Sequence, residues 1–319
     1  MKEKLKRFND KLNWGISNHC NEEVTVLLKL KYLVLITIDY IRLNITITDY
    51  FDFRFFEKTY NEKKEYLTSK EALRYAIKFD SLEKIWKNKS KTDMYKQLAV
   101  FLKRDQLETK DLNYGMFCDY VKKHPIFLYK PDDQEGGIGI QLVNSKSEEV
   151  NDLYESLKDK NGIIDEVISQ HPILQLLSPG SVNTVRVFTL KCKSEIIYIA
   201  AALRMGNGKS VIDNFTSGGM VAGVDIEKGI VIEDAVDAFG KKYTSHPYTG
   251  VKIRGLEIPN WKCLKEFVNS CAQKYDLNYV AWDIAIREND CVLIEANPCG
   301  GVHIIQTPGV GGRKKQYKK

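Results

Sequence analysis

Two short apolar segments near the end of the chain carry polar residues at a two-residue spacing. AWDIAI spans residues 281–286 and contains Asp283, and IEANPCGG spans 294–301 and contains Glu295 and Asn297. Because side chains alternate between the faces of a strand, Glu295 and Asn297 project from one face. A buried carboxylate is costly unless it meets a cation, a hydrogen-bond network or a proton. The pattern predicts two strands that bring these polar groups into one site.

The register of this strand pair decides whether the carboxylates meet. A four-residue loop over 287–290 would place Asp283 opposite Ile294 and turn Glu295 to the other face. A five-residue loop over 287–291 would place Asp283 opposite Glu295, since a slip of one residue exchanges the faces. We predict this second register or one of the same parity, in which the residues facing the core are Trp282, Ile284, Ile294 and Ala296. The oxygen groups then form a ligand set suited to Mg²⁺.

Composition excludes several classes of protein. The 319 residues are 43% hydrophobic and 28% charged, as in a folded globular chain. The longest apolar run, LVLITI at 33–38, is far shorter than the roughly 20 residues of a membrane span, and the start lacks a signal peptide. We therefore expect a cytoplasmic protein without a transmembrane segment. Seven cysteines without a CxxC pair favour reduced thiols over a disulfide framework or a zinc site.

Positive charge is concentrated at the C-terminus. The formal net charge is +6, and the final residues include Arg313, Lys314, Lys315, Lys318 and Lys319. We expect a solvated, flexible tail, with peripheral contact to an anionic membrane surface or to a polyanion as the alternative. A charge this modest predicts no nucleic-acid partner.

The pattern of apolar residues changes along the chain. Residues 1–110 are predicted to be mainly helical, and Thr68 lies three residues before Glu71, the spacing of a capping box. After His124-Pro125, short β-rich runs alternate with helices. We therefore expect an α+β protein with a helical N-terminal region.

A lysine and a glycine-rich turn form the first candidate site for an anion. In YKPDDQEGGIGIQLV, Lys130 ends one strand, and the turn before the next strand contains Gly136, Gly137 and Gly139. Glycines allow backbone amides to approach phosphate oxygens closely. An ordinary hairpin loop is the alternative, and the segment matches neither GxxxxGK[ST] nor GxGxxG.

Two arginines on consecutive predicted strands form the second candidate site. Arg186 lies in SVNTVRVFTL and Arg204 in AAALRMG, and DNFTSGG with Asn214 follows. Guanidinium groups suit phosphoryl oxygens, whereas a single such arginine more often forms a structural ion pair.

Taken together, these motifs resemble the ATP-grasp superfamily. The order is a lysine with a glycine-rich hairpin, IIDEVI ending a strand, an arginine-bearing strand pair, an asparagine before Gly-Gly, and Asp…Glu-x-Asn. Within that superfamily the chain resembles the sugar-transfer associated ATP-grasp family, found with polysaccharide biosynthesis proteins. The segments that carry this likeness lie between about Ile126 and Gly301: SVNTVRVFTL, ALRMG, DNFTSGGMVAGVD, HPYTG, IPNW and WDIAI…LIEANPCGG.

The resemblance implies an ATP held between two α+β subdomains, at 111–180 and 181–312, which follow the helical region at 1–110 and precede a basic tail at 313–319. It also implies a role for each matching residue. Lys130 and the glycines at 136–139 would contact phosphates, with Lys91 as the candidate second lysine. Glu166 and Val167 would meet the adenine, and Thr184 would lie near the ribose, where related ligases often carry an acidic residue. Arg186 and Arg204 would stabilise charge on the transferred phosphoryl group, with Asn214 nearby. Two Mg²⁺ ions would be held by Asp283, Glu295 and Asn297.

The implied chemistry is an ADP-forming ligation of a carboxylate to an amine through an acyl phosphate. The substrates would be small or sugar-linked molecules of polysaccharide or sugar-conjugate biosynthesis. An ATP-dependent phosphotransferase acting on a sugar or glycan, and a non-catalytic nucleotide-binding module, are the alternatives.

Overall fold

Helices make up most of the N-terminal third, and threonine side chains cap the start of several of them. In the computed structural model, residues 2–20, 22–132, 139–208, 215 and 218–318 are described. Capping boxes join Thr46 to Asp49, Thr59 to Glu62 and, as predicted, Thr68 to Glu71. The helices before the first long strand are α1 Lys2–His19, α2 Val26–Leu43, α3 Ile47–Asp52, α4 Tyr60–Lys63, α5 Ser69–Ile77, α6 Leu82–Lys87, α7 Lys91–Leu102 and α8 Tyr114–Lys123.

A four-stranded antiparallel sheet follows and has its own small core. Its spatial order is β1-β4-β2-β3, with β1 Gln106–Glu108, β2 Ile126–Pro131, β3 Gln141–Asn144 and β4 Gly162–Glu166. The glycine-rich turn joins β2 to β3, whose register places Tyr129 opposite Gln141. Phe117 of α8, Phe127 of β2 and Leu153 of α9, Val150–Leu157, lie in the apolar cluster beneath this sheet.

A seven-stranded antiparallel sheet forms the second layer and supports the main core. Its order is β11-β10-β5-β6-β7-β8-β9, with β5 Thr184–Cys192, β6 Glu195–Met205, β7 Met220–Val224, β8 Ala235–Asp237, β9 Lys242–Tyr243, β10 Tyr279–Ile286 and β11 Cys291–Pro298. The two remaining described helices are α10 Pro172–Leu177 and α11 Trp261–Lys274. The N-terminal helices and this sheet share one hydrophobic core, in which Trp282 and Tyr275 pack edge to face at 5.7 Å.

A β-bulge sets the register of the β10–β11 pair. Next to the turn, Ile286 pairs with Cys291, so the predicted five-residue loop is wrong. The register then shifts between Ile284 and Asp283, so that Asp283 pairs with Glu295, as predicted. The bulge inserts Ile294 as an extra residue, because a bulged strand places two residues opposite one. Ile294 consequently packs on a small cluster formed by Ile168, Ala285 and Val292, not in the main core with Trp282 as expected.

The basic C-terminal segment packs against the body, so the prediction of a solvated tail is wrong. Arg313 Nε donates to the Ile305 carbonyl at 2.7 Å, and the Lys314 amide donates to the Glu65 carbonyl at 2.9 Å. Tyr317 is buried, and its hydroxyl lies 2.9 Å from that of Tyr279. The prediction was based on the lysines of this segment and did not consider Tyr317. Burial of this aromatic side chain stabilises the packed segment.

Two further observations concern the cysteines and the length of the apolar helices. All seven cysteines are free thiols. Across the described ranges, no helix combines the length and the apolar character that crossing a membrane requires.

His19, at the end of α1, makes the stability of the fold dependent on pH. Its ring is buried against Trp14, Phe51 and Phe239, and neither ring nitrogen has a hydrogen-bond partner among the described residues. Burial, aided by the nearby Arg54 guanidinium, lowers the pKa of His19 to about 4. The folded state therefore keeps the imidazole neutral in a range where the unfolded chain protonates it.

We expect acidification from about pH 6.5 to about pH 4 to lower the free energy of unfolding, with His19 contributing roughly 3 kcal/mol. The sign follows because the unfolded state binds the proton first. Urea unfolding of the wild type and of His19→Phe at about pH 7 and about pH 4.5 measures the effect. The variant should gain stability relative to the wild type at the lower pH; an equal difference at both pH values would contradict the assignment.

Candidate active site

Asp283 is the centre of a buried ionic cluster on the seven-stranded sheet. It lies on β10 directly opposite Arg186 of β5, and 2% of its surface is exposed. Arg186 donates hydrogen bonds to both carboxylate oxygens. Its Nε lies 2.5 Å from Oδ1, and its Nη2 donates to Oδ2. Arg204 of β6 reaches the same Oδ2 through Nη1 at 2.7 Å. Burial alone would raise the pKa of Asp283, but the two guanidinium groups outweigh it and hold the pKa below its usual value.

The amide and second carboxylate of the predicted ligand set lie on the same face as Asp283. Asn297 Nδ2 donates to Asp283 Oδ2 at 3.3 Å. Glu295, two residues earlier on β11, pairs with Asp283 across the strands and is half-buried. Asp283, Glu295 and Asn297 thus lie on one face of the β10–β11 pair, and Asp283 is held deprotonated there. This donor set fits Mg²⁺, although Asp283 is engaged by the two arginines in this arrangement.

A second buried carboxylate, Asp165 of β4, forms a salt bridge with Lys130, the lysine predicted to contact the nucleotide phosphates. Lys130 Nζ forms a salt bridge with Asp165 Oδ2, Arg104 Nε donates to Oδ1 at 2.7 Å, and Gln106 Nε2 donates to Oδ1 at 3.0 Å. Burial raises the pKa of Asp165, and the two cations more than offset this, so the net shift is downward. Arg104 also donates to the Leu293 carbonyl of β11 and so links the two sheets.

Lys130 also contributes to the stability of the fold. An exposed ammonium at the end of a strand ordinarily contributes little. The Lys130 side chain is only 14% exposed and helps to neutralise a fully buried carboxylate. Removal of one partner from a buried ion pair is costly, because the other charge loses its compensation.

We expect Lys130→Met to lower the free energy of unfolding by about 1–3 kcal/mol, less than for an isolated pair because Arg104 still compensates Asp165. We also expect weaker nucleotide binding. Chemical denaturation and calorimetric titration with ADP measure the two effects. Lys122→Met, at an exposed position of α8, is the matched control and should change neither. An unchanged nucleotide affinity in Lys130→Met would contradict the phosphate-binding role.

The predicted adenine contacts lie where β4 leaves the smaller sheet. The Glu166 carboxylate accepts the Asp105 amide at 3.0 Å, and Val167 follows with a partly exposed side chain. Next to them, Ile168 forms a small buried cluster with Ala285 and Val292, and Ile294 of β11 packs against it. Backbone groups at a strand end beside apolar side chains suit the edge and face of a heterocycle.

The other predicted residues divide into described and undescribed ones. Thr184 is buried at the start of β5, opposite Arg204. Gly139 has a positive φ of 75° just before β3, a conformation that favours glycine. The candidate second lysine, Lys91, begins α7. Outside the described residues lie Gly136, Gly137 and Asn214, and also the side chain of Lys91.

Sequence reasoning missed three polar residues of this region. Asp165 is a charged residue inside the apolar run GIIDEVI, and this pattern could have indicated a buried, paired carboxylate. Arg104 lies before β1, and no sequence pattern around it indicates its role. His303 is half-buried, with Phe215 at a centroid distance of 5.5 Å. Burial and then the charges of Arg186 and Arg204 lower the pKa of His303 to about 4, so its imidazole is neutral at physiological pH.

Comparison with known proteins gives a family and distant structural relatives. The model of the sugar-transfer associated ATP-grasp family matches residues 55–319. No curated protein matches the chain. Similar solved structures include the ATP-grasp ligase PsnB complexed with a phosphomimetic variant of minimal precursor, Mg and ADP, at 14% identity and a TM-score of 0.44, covering 75% of this chain and 60% of that one.

Two other structures have a comparable similarity. One is a Chryseobacterium gregarium RiPP-associated ATP-grasp ligase with ADP and a leader and core peptide, at 13% identity, a TM-score of 0.45, and coverage of 73% of this chain and 58% of that one. The other is N5-carboxyaminoimidazole synthase from Aspergillus clavatus, at 12% identity, a TM-score of 0.43, and coverage of 73% and 51%. This chain spans less than two thirds of the length of each of these three structures.

The family match covers most of the chain, including both sheets and every predicted site residue. It confirms the resemblance drawn from the motifs and the α+β fold class that the resemblance implied. The chain belongs to the sugar-transfer associated ATP-grasp family and has the ATP-grasp fold.

Proposed function

We propose that this protein is an ATP-dependent ligase that activates a carboxylate as an acyl phosphate and joins it to an amine. The observation that carries the proposal is the pair of arginines on buried Asp283, with Glu295 and Asn297 on the same face. Membership of the family supports nucleotide-dependent chemistry. The polysaccharide context of the substrates rests on the family name alone.

Two pairs of basic side chains, each on one buried carboxylate, suit a polyphosphate. Arg186 and Arg204 share one carboxylate, Asp283, and Arg104 and Lys130 share another, Asp165. In a poorly solvated site, such charges attract phosphate oxygens more strongly than they would in water. We assign Lys130 to the nucleotide phosphates and the two strand arginines to the transferred group.

The reaction balances as two displacements. A carboxylate oxygen of the first substrate attacks the γ-phosphorus, and the bond to the β-phosphate oxygen breaks to release ADP. The amine then attacks the acyl carbon, and the C–O bond to phosphate breaks as the amine loses a proton. Arg186 and Arg204 would hold the phosphoryl oxygens in both steps and lower the cost of the charge that develops on them. Bound Mg²⁺, of which we propose two, would be held by Asp283, Glu295 and Asn297 and would neutralise charge on the phosphates.

The proposal is tested by measuring ADP release from ATP in the presence of mixtures of carboxylates and amines, including amino acids and nucleotide sugars. Hydroxylamine added without an amine should trap the acyl phosphate as a hydroxamate. Mass spectrometry of the complete mixture identifies the amide. A stable phosphate ester without a hydroxamate would indicate a phosphotransferase instead, and binding of nucleotide without any turnover would indicate a non-catalytic module.

A further inference from the structure

The outward face of α2 is apolar along its whole length. Five aliphatic residues recur at spacings of three and four, which places them on one side of the helix. All five are exposed, from 39% at Ile38 to 78% at Leu27. We call this set the aliphatic ridge: Leu27, Leu30, Val34, Ile38 and Ile41.

The opposite face of α2 packs against the protein core and so holds the helix in place. Tyr32 and Ile36 are buried in the main core, so the ridge is not needed to hold the helix in place. A helix that is apolar all round is ordinarily covered on all sides. Contiguous exposed apolar surface of this kind marks a site of interaction.

Basic residues outnumber acidic ones among the exposed charges around the ridge. The only acidic residue of α2, Asp39, is buried, and Lys63 Nζ lies 2.6 Å from its carboxylate. The exposed charged residues of the helix are Lys31 and Arg42. The described side chains of the neighbouring α1 add three basic residues, Lys6, Arg7 and Lys11, against the acidic Glu3 and Asp10. The surface therefore combines an aliphatic centre with basic edges.

Tyrosines with a cation above the ring lie beside the ridge. Lys70 Nζ is 4.4 Å from the ring centroid of Tyr40, and the Arg42 guanidinium is 5.5 Å from that of Tyr60. Both tyrosines are exposed. Tyrosine rings and basic side chains with apolar stems are favoured where hydrocarbon meets polar headgroups.

We propose that the aliphatic ridge of α2 docks on the surface of an anionic lipid bilayer. The helix would lie in the plane of the interface, since Leu27 to Ile41 extends over only about 21 Å and cannot cross a hydrocarbon core of about 30 Å. A second copy of this chain is a poorer occupant. A two-fold contact would bring the ridge of one copy, with Lys31 and Arg42, against the same cations of the other, and α2 exposes no carboxylate to pair with them.

Vesicle sedimentation of the full chain tests this proposal. The probes are vesicles of phosphatidylcholine alone and of phosphatidylcholine mixed equally with phosphatidylglycerol. The ridge variant combines Leu30→Gln, Val34→Gln and Ile41→Gln. Its matched control combines Val100→Gln and Leu176→Gln, two aliphatic residues of similar exposure on other helices. A charge variant combines Lys31→Gln and Arg42→Gln.

We expect the wild type and the control to sediment with the anionic vesicles and the ridge variant to lose at least about tenfold in affinity. The charge variant should bind more weakly, and binding should fall as salt rises from ~0.1 M to ~1 M because screening shortens the reach of the charges. Circular dichroism should show that all variants remain folded, since the substituted side chains are exposed. Equal sedimentation of wild type and ridge variant, or no sedimentation of the wild type, would overturn the proposal. So would a wild-type dimer in light scattering that becomes monomeric in the ridge variant without any vesicle binding.

Discussion

Replacement of Asp283 by Asn should lower the free energy of unfolding by about 3–5 kcal/mol and abolish ATP-dependent turnover. The substitution preserves shape but removes the carboxylate that forms ion pairs with both Arg186 and Arg204. Two guanidinium groups would then remain buried with one amide between them. Equilibrium denaturation in urea and ADP release measure the two effects.

The exposed Asp119 of α8 provides the matched control for this prediction. Asp119→Asn should change neither stability nor turnover. A second variant, Asp283→Asn with Arg204→Gln, also removes one of the two guanidinium groups that share the Asp283 carboxylate. It should recover part of the stability but none of the activity. Wild-type stability in Asp283→Asn would show that the cluster contributes little to folding.

Replacement of Glu295 by Gln should reduce turnover by about 10²–10³-fold. Glu295 is half-buried and pairs with Asp283 across β10 and β11, so its side chain lies on the face of the predicted ligand set. Its loss removes a ligand charge but nearly preserves side-chain shape.

Calorimetric titration with ADP in the presence and absence of Mg²⁺ gives a readout that does not depend on turnover. The wild type should bind ADP more tightly with Mg²⁺, and Glu295→Gln should lose that difference. Glu288→Gln, in the turn between β10 and β11, is the control and should behave as the wild type. If Glu295→Gln keeps the full effect of Mg²⁺, Glu295 is not a ligand.

The position of most secondary structure elements is readable from the local pattern of residues. The Thr68–Glu71 capping box begins α5, and the apolar runs around Lys130, Arg186 and Arg204 are strands at the predicted places. These features depend on near neighbours in the chain, so periodicity and capping chemistry report them. Motif order likewise indicated the family, which the family match confirms.

The contacts of the candidate site depend on residues that are distant in sequence. The pairing of Asp283 with Glu295 was predicted with the wrong loop, because a bulge at Ile294 restored the parity that the shorter loop would have lost. A bulge depends on how two strands fit their neighbours in the sheet, which periodicity within one strand does not report. The ion pairs of Asp165 with Lys130 and with Arg104 also depend on the adjacency of segments that are separated by many residues in the sequence.

The sequence by itself determined the helical start, the strand segments, the family and the types of residue available for chemistry, since these depend on local pattern and composition. Only the tertiary structure decided that Asp283 is shared by two arginines, that Tyr317 anchors the basic segment, and that α2 turns its aliphatic ridge outward. The physical reason is that burial and charge compensation are properties of the packed chain. An apolar helix face or a lysine-rich segment has the same sequence whether the fold covers it or exposes it.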